Sequence, residues 1–99
     1  MSYHIIIEPT ALLDIQQAID YYDAKQIGLG EKFEAALDKR LVSIQNNPFY
    51  QIRYDTVHCL PLKKYPYMIH FTINKIDNAV TVRAVFHTSQ NPTIWKKDR

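Results

Sequence analysis

The sequence predicts an α+β domain: an N-terminal strand, a two-helix hairpin and then an antiparallel β-meander, with the helices packed on one face of the sheet. Three observations predict it. Apolar residues recur at helical spacing through the first half, they alternate in runs rich in Tyr, Ile, Val, Thr and Phe through the second, and turn residues separate the runs. The 99 residues are 46% hydrophobic with two glycines, which fits one compact domain over 1–99 with a single core. A core of that size leaves little volume for a deep enclosed cavity, so any site is expected to be an open surface groove.

Tyr3 to Ile7 is an apolar run with three consecutive isoleucines, stopped by Pro9; it reads as a buried inner strand. Thr10 is placed to cap a first helix, in which Leu12, Ile15, Ile19 and Tyr22 form an apolar stripe with Asp14, Asp20 and Asp23 facing out. Gly28-Leu29-Gly30 breaks that pattern, and Glu31 opens a second helix with Phe33, Ala36, Leu37, Leu41 and Ile44 on its stripe. Asn46, Asn47 and Pro48 end it. Ile52 to Leu62 then fits one bent strand or two short ones. Tyr67 to Asn74 and Ala79 to His87 are long strands joined by a turn at Asp77 and Asn78.

Period-two alternation sorts these two strands into faces. Tyr67, Ile69, Phe71 and Ile73 with Val80, Val82, Ala84 and Phe86 are expected to meet the helices. Met68, His70 and Thr72 with Thr81, Arg83, Val85 and His87 then form a mixed polar face left open.

Charge is uneven along the chain. Residues 1–48 carry four Lys or Arg against seven Asp or Glu, and residues 49–99 carry eight against three. A basic second half suits a polyanion or an acidic protein segment as partner, or else an ordinary solvated face. The lone Cys59 gives no disulfide framework, the four histidines show no zinc-ligand spacing, and Gly28-Leu29-Gly30 lacks the strand before it that a phosphate loop needs. No cofactor and no metal are expected. The acidic residues of the first half read as outward helix faces rather than as paired catalytic carboxylates. With no apolar run of about 18 residues and no leader-like N-terminus, the chain is expected to be cytoplasmic and without membrane contact.

One ordered set of residues carries a resemblance: Ala11, Asp14, Ile15, Ala18, Tyr21 and Tyr22, then Gly28-Leu29-Gly30 and Phe33. It continues with Asn47-Pro48, Tyr65-Pro66-Tyr67, Val85-Phe86-His87, and Asn91-Pro92 with Trp95. In this order the chain resembles the RelE/ParE superfamily, toxins of bacterial type II toxin–antitoxin pairs, over nearly its whole length. The resemblance implies a growth inhibitor silenced by a cognate antitoxin. It also implies one of two targets, ribosome-bound mRNA cleaved as by an endoribonuclease, or DNA gyrase poisoned without chemistry; a degenerate antitoxin-binding module is a further variant. The best-known ribonuclease branch has an arginine after the aromatic that opens the penultimate strand, and this chain has Met68 after Tyr67.

Cleavage of RNA without a metal needs proton transfer to and from oxygen and positive charge for the phosphorane. His87, at a strand end, is the candidate general acid or base, with Arg83 as its catalytic partner; the alternative for His87 is a structural hydrogen bond to Thr88 or Ser89. Arg53, Lys63 and Lys64 are candidates for phosphate or partner binding, Tyr65 and Tyr67 for stacking on a base, and His70 for a place on the same open face. For His70 the alternative is a half-buried sheet position, and for the lysine pair a charged loop that keeps a sheet edge soluble. Trp95 is expected to pack on the core.

Overall fold

A five-stranded mixed sheet in the order β1-β5-β4-β3-β2 carries two helices on one face. The computed structural model describes residues 3–49, 52–54 and 56–89. The elements are β1 (His4–Ile7), α1 (Pro9–Lys25), α2 (Leu29–Asn46), β2 (Ile52–Tyr54), β3 (Val57–Pro61), β4 (Tyr67–Asn74) and β5 (Ala79–His87). The expectation for Trp95 lies outside the described residues.

β1 is an edge strand rather than an inner one. It pairs in parallel with β5, from His4 opposite Ala79 to Ile7 opposite Val82. Its side chains alternate, His4 and Ile6 exposed and Ile5 and Ile7 half-buried toward the helices, because only one face of this strand is covered. The other pairs are antiparallel. Ile52 to Leu62 resolves into the two short strands β2 and β3.

α1 begins one residue before the expected cap. Glu8 is the flanking residue and Pro9 takes the first turn, where its missing N–H costs nothing. The stripe Ala11, Ile15, Ala18 and Tyr22 is buried against the buried residues of α2, Phe33, Leu37 and Ile44, and against Ile69, Phe71, Val80, Val82 and Val85 of the sheet. Asp14 does not face out. The Val85 N–H donates to its Oδ2 at 3.1 Å, satisfying a β5 edge group beyond the end of β1.

The helical turn depends on its two glycines. Gly28 has φ +89°, in the left-handed region that costs other residues strain. Gly30 is buried, and its N–H donates to Asp23 Oδ1 at 2.8 Å, so the last turn of α1 caps the first turn of α2. A Cβ on Gly30 would sit 2.7 Å from that oxygen and 2.8 Å from Asp23 Cγ. Gly30→Ala must push the carboxylate aside and lose the cap. We expect Gly30→Ala and Asp23→Ala each to cost about 1 kcal/mol, and the double variant in urea denaturation to cost much less than their sum. Additive losses would show that the two residues act separately.

β4 and β5 have the expected bounds but not the expected faces. Phe71 pairs with Val82 and His70 with Ala84, so Arg83 is an extra residue, a β-bulge that shifts the phase of the strand. Before the bulge, Val80 and Val82 meet the helices as expected. After it, Val85 and His87 share the helix side with Ile69 and Tyr67, while Ala84 and Phe86 turn to the other face beside His70 and Met68. The expected assignment of Ala84, Phe86, Val85 and His87 is therefore reversed.

Candidate functional site

Two features meet where the helical hairpin overhangs the β3–β4 turn. The first is an aromatic cluster built around Phe33 of α2, which is fully buried. Tyr22 stacks on it at 5.4 Å and 27°, while Tyr65 and Tyr67 meet it edge-on at 5.4 and 5.2 Å. Tyr21, half exposed on α1, packs edge-on against Tyr22, and the Lys25 ammonium lies 4.7 Å from its ring centroid. Adjacent tyrosines on one helix cannot share a stripe, and here one packs while the other faces outward.

Burial raises the phenol pKa of Tyr22 above its ordinary value, with the neighbouring phenols of Tyr67, Tyr21 and Tyr65 adding to it. Burial does the same to Tyr67, with Tyr21 contributing. Both are neutral O–H groups at neutral pH, suited to donating hydrogen bonds and stacking but not to acting as general bases.

The turn that carries Tyr65 is fixed by the backbone. Tyr67 N–H donates to the Tyr65 carbonyl, Leu62 N–H to the Tyr67 carbonyl, and Thr88 N–H to the Pro66 carbonyl. Arg40 Nε of α2 donates to the Pro61 carbonyl at 3.0 Å, tying the helix to the end of β3. Between them lies the second feature, an open groove of about 380 Å³. Its walls are Lys32, Lys39 and Arg40 from α2, and Lys63, Lys64 and Tyr65 from the turn. Ala35, Ala36 and Ser43 of α2 complete its lining, and among the described residues no carboxylate lines it.

The structure brings some of the expected residues together and separates others. Lys63, Lys64 and Tyr65 share the groove, and Tyr65 joins it to the cluster that holds Tyr67. His87 lies edge-on to Tyr67 at 5.2 Å, on the helix side and not on an open face with His70. Its Nδ1 accepts from the Ser89 N–H at 3.1 Å, with Ser89 Oγ at 2.7 Å, which is the structural alternative drawn from the sequence. In the neutral ring the proton is then on Nε2.

Arg83 sits at the bulge, its Nε 3.6 Å from Glu8 Oε1 at the head of α1. His70 is on the expected face but is completely buried, with Nδ1 3.3 Å from Cys59 Sγ and its ring edge-on to Phe86, so it offers no surface to an RNA or a partner. Arg53 lies on the edge strand β2.

Sequence reasoning missed Lys32, Lys39 and Arg40. The signal was present in the helical wheel of α2. At about 100° per residue, its three cations fall on one flank of the buried stripe while Glu31, Glu34 and Asp38 fall on the other. Among the described residues no group of His, Cys, Asp or Glu could hold a metal ion, and no helix is long and apolar enough to cross a membrane.

Comparison with known proteins bears on the whole of this architecture. The chromosomal ParDE toxin–antitoxin system from P. aeruginosa contains a chain similar in fold, with a TM-score of 0.72 at 14% identity, covering 89% of this chain and 98% of that one. A chain of the intact E. coli RelBE toxin–antitoxin complex gives a TM-score of 0.69 at 17% identity, covering 90% of this chain and 100% of that one. The isolated E. coli RelE toxin gives 0.67 at 15% identity, over 96% and 94% of the two chains. No curated protein matches the chain in sequence. The family model for the ParE toxin of the type II toxin–antitoxin system parDE matches residues 5–92, and this chain belongs to that family.

Proposed function

We propose that this type II toxin arrests growth by binding DNA gyrase, without chemistry of its own, and that a cognate antitoxin silences it. The observation that carries the reading is the bulge at Arg83. It turns His87 to the helix side against Tyr67 and Ser89 and leaves Arg83 beside Glu8, partners that favour structural roles for both side chains. Tyr22 and Tyr67 supply no substitute base, because both phenols are held protonated. Met68 follows Tyr67 where the ribonuclease branch would place an arginine, which points the same way. The family match to ParE toxins supports the same choice, since fold alone serves both targets. A gyrase target implies action in the cytoplasm.

The second reading, ribosome-dependent cleavage of mRNA with His87 as general acid or base, is separated by one variant. His87→Ala is expected to arrest growth as wild type does, with reporter mRNA intact by primer extension and plasmid supercoiling impaired. New mRNA ends that require both translation and His87 would overturn the proposal. Relatives in the RelBE and ParDE systems are known as toxin–antitoxin complexes, which supports an antitoxin partner here. Co-expression with the neighbouring open reading frame should restore growth and yield a co-purifying complex.

A further inference from the structure

We propose that the groove between α2 and the β3–β4 turn binds the phosphate backbone of a nucleic acid, an interaction beyond the protein surface that a gyrase-binding toxin requires. Five cations from two separate elements, Lys32, Lys39 and Arg40 on one side and Lys63 and Lys64 on the other, converge on one concavity with no carboxylate in its lining among the described residues. Among the described residues none of these five forms an ion pair. A surface charged only for solubility would intersperse the two signs. α2 instead segregates them, its carboxylates Glu31, Glu34 and Asp38 lying on the flank away from the groove. The concentration of like charge is unfavourable in the free protein and becomes favourable when an anion enters.

The shape of the groove favours a sugar–phosphate chain over an acidic protein segment. A peptide that folds on binding draws much of its affinity from apolar anchors in matching pockets. Apart from Tyr65, the uncharged lining among the described residues is two alanines and a serine. Those small side chains let a backbone approach the helix closely, and long lysines on both walls can follow successive phosphates. Lys32 and Lys39 are separated by about 10 Å along the helix axis, which spans more than one phosphate. Arg40 is held by the Pro61 carbonyl, so part of the charged wall is preorganised. Tyr65 belongs both to the groove lining and to the aromatic cluster, and offers a ring on which a base could stack.

The test is fluorescence anisotropy of the purified toxin with a labelled single-stranded oligothymidylate across a salt series. We expect log K to fall linearly with log salt. The Lys39→Gln/Lys64→Gln double variant should weaken binding about tenfold and reduce the slope by about 1.4, at about 0.7 for each phosphate left without its lysine. Both lysines are exposed, so the fold should be kept, as circular dichroism will show. The matched control is Lys75→Glu, which changes the net charge by the same two units away from the groove and the aromatic cluster and should change affinity less than about twofold, since screening weakens distant charges.

Equal losses in the groove double variant and in Lys75→Glu would overturn the proposal in favour of diffuse attraction. Tighter binding of a labelled glutamate-rich peptide, dependent on Lys39 and Lys64, would overturn it in favour of an acidic protein segment. Because oligonucleotide and toxin are the only components, the result is independent of whether gyrase is the cellular target.

Discussion

Truncating Phe33 to alanine should lower the free energy of unfolding by about 3–5 kcal/mol, a large part of the roughly 5–15 kcal/mol available to a domain of this kind. Phe33 has no exposed surface, and three tyrosine rings rest on it with centroids 5.2 to 5.4 Å away. Removing the ring leaves a cavity that cannot collapse easily. Tyr65 and Tyr67 are anchored by the backbone bonds of the β3–β4 turn, and Tyr22 is fixed by the α1 stripe. Urea denaturation of the wild type, Phe33→Ala and Phe33→Leu would measure the effect, with leucine recovering much of the loss because it refills most of the volume. A loss below about 1 kcal/mol for alanine would show that the surrounding rings close over the site, at the low end for such truncations. The consequence reaches function, because Tyr65 is also a wall of the basic groove. Oligonucleotide binding by folded Phe33→Ala should therefore weaken as well.

The helices and long strands were legible because burial imposes a period on sequence. Ile15, Ala18 and Tyr22, or Tyr67, Ile69 and Phe71, declare their faces whatever lies opposite. Two features had no such signature. The pairing of β1 with β5 is a long-range choice, and His4–Ile7 reads alike as an inner or an edge strand. The bulge at Arg83 exists only relative to β4, since an extra residue can be counted only against a partner. That one residue sets the face on which His87 lies. Strict alternation placed His87, His70 and Arg83 on one open face, whereas the structure sends His87 to the helix side, ties Arg83 to Glu8 and buries His70 against Cys59.

Lys63, Lys64 and Tyr65 were legible as a basic and aromatic turn. Their partners on α2 were hidden by an averaged charge: residues 1–48 are net acidic, yet three of their four cations line the groove. Half-chain totals conceal what a helical wheel separates.

The tyrosine cluster also sets an alkaline limit on stability. Tyr22 and Tyr67 have folded pKa values raised above the ordinary 10.0, chiefly by burial. The folded chain therefore keeps these protons where the unfolded chain has begun to release them. Below pH 10 their contribution is intact, and it is lost as pH rises through the folded values. Between the two, each such phenol steepens the fall by at most about 1.4 kcal/mol per pH unit. Three neighbouring phenols add to the effect of burial at Tyr22 and one at Tyr67, so Tyr22 is the better place to test it.

Tyr22→Phe keeps the ring packed on Phe33 and removes the titrating group. Urea midpoints of this variant and the wild type, taken from pH 8 to pH 11, should run together at first. They should then diverge above pH 10, with the variant falling less steeply. Lysine titration affects both proteins equally and cancels in the difference. Parallel profiles over the whole range would mean that the phenol of Tyr22 reaches water freely, and that the packing around Phe33 is looser than the ring geometry implies.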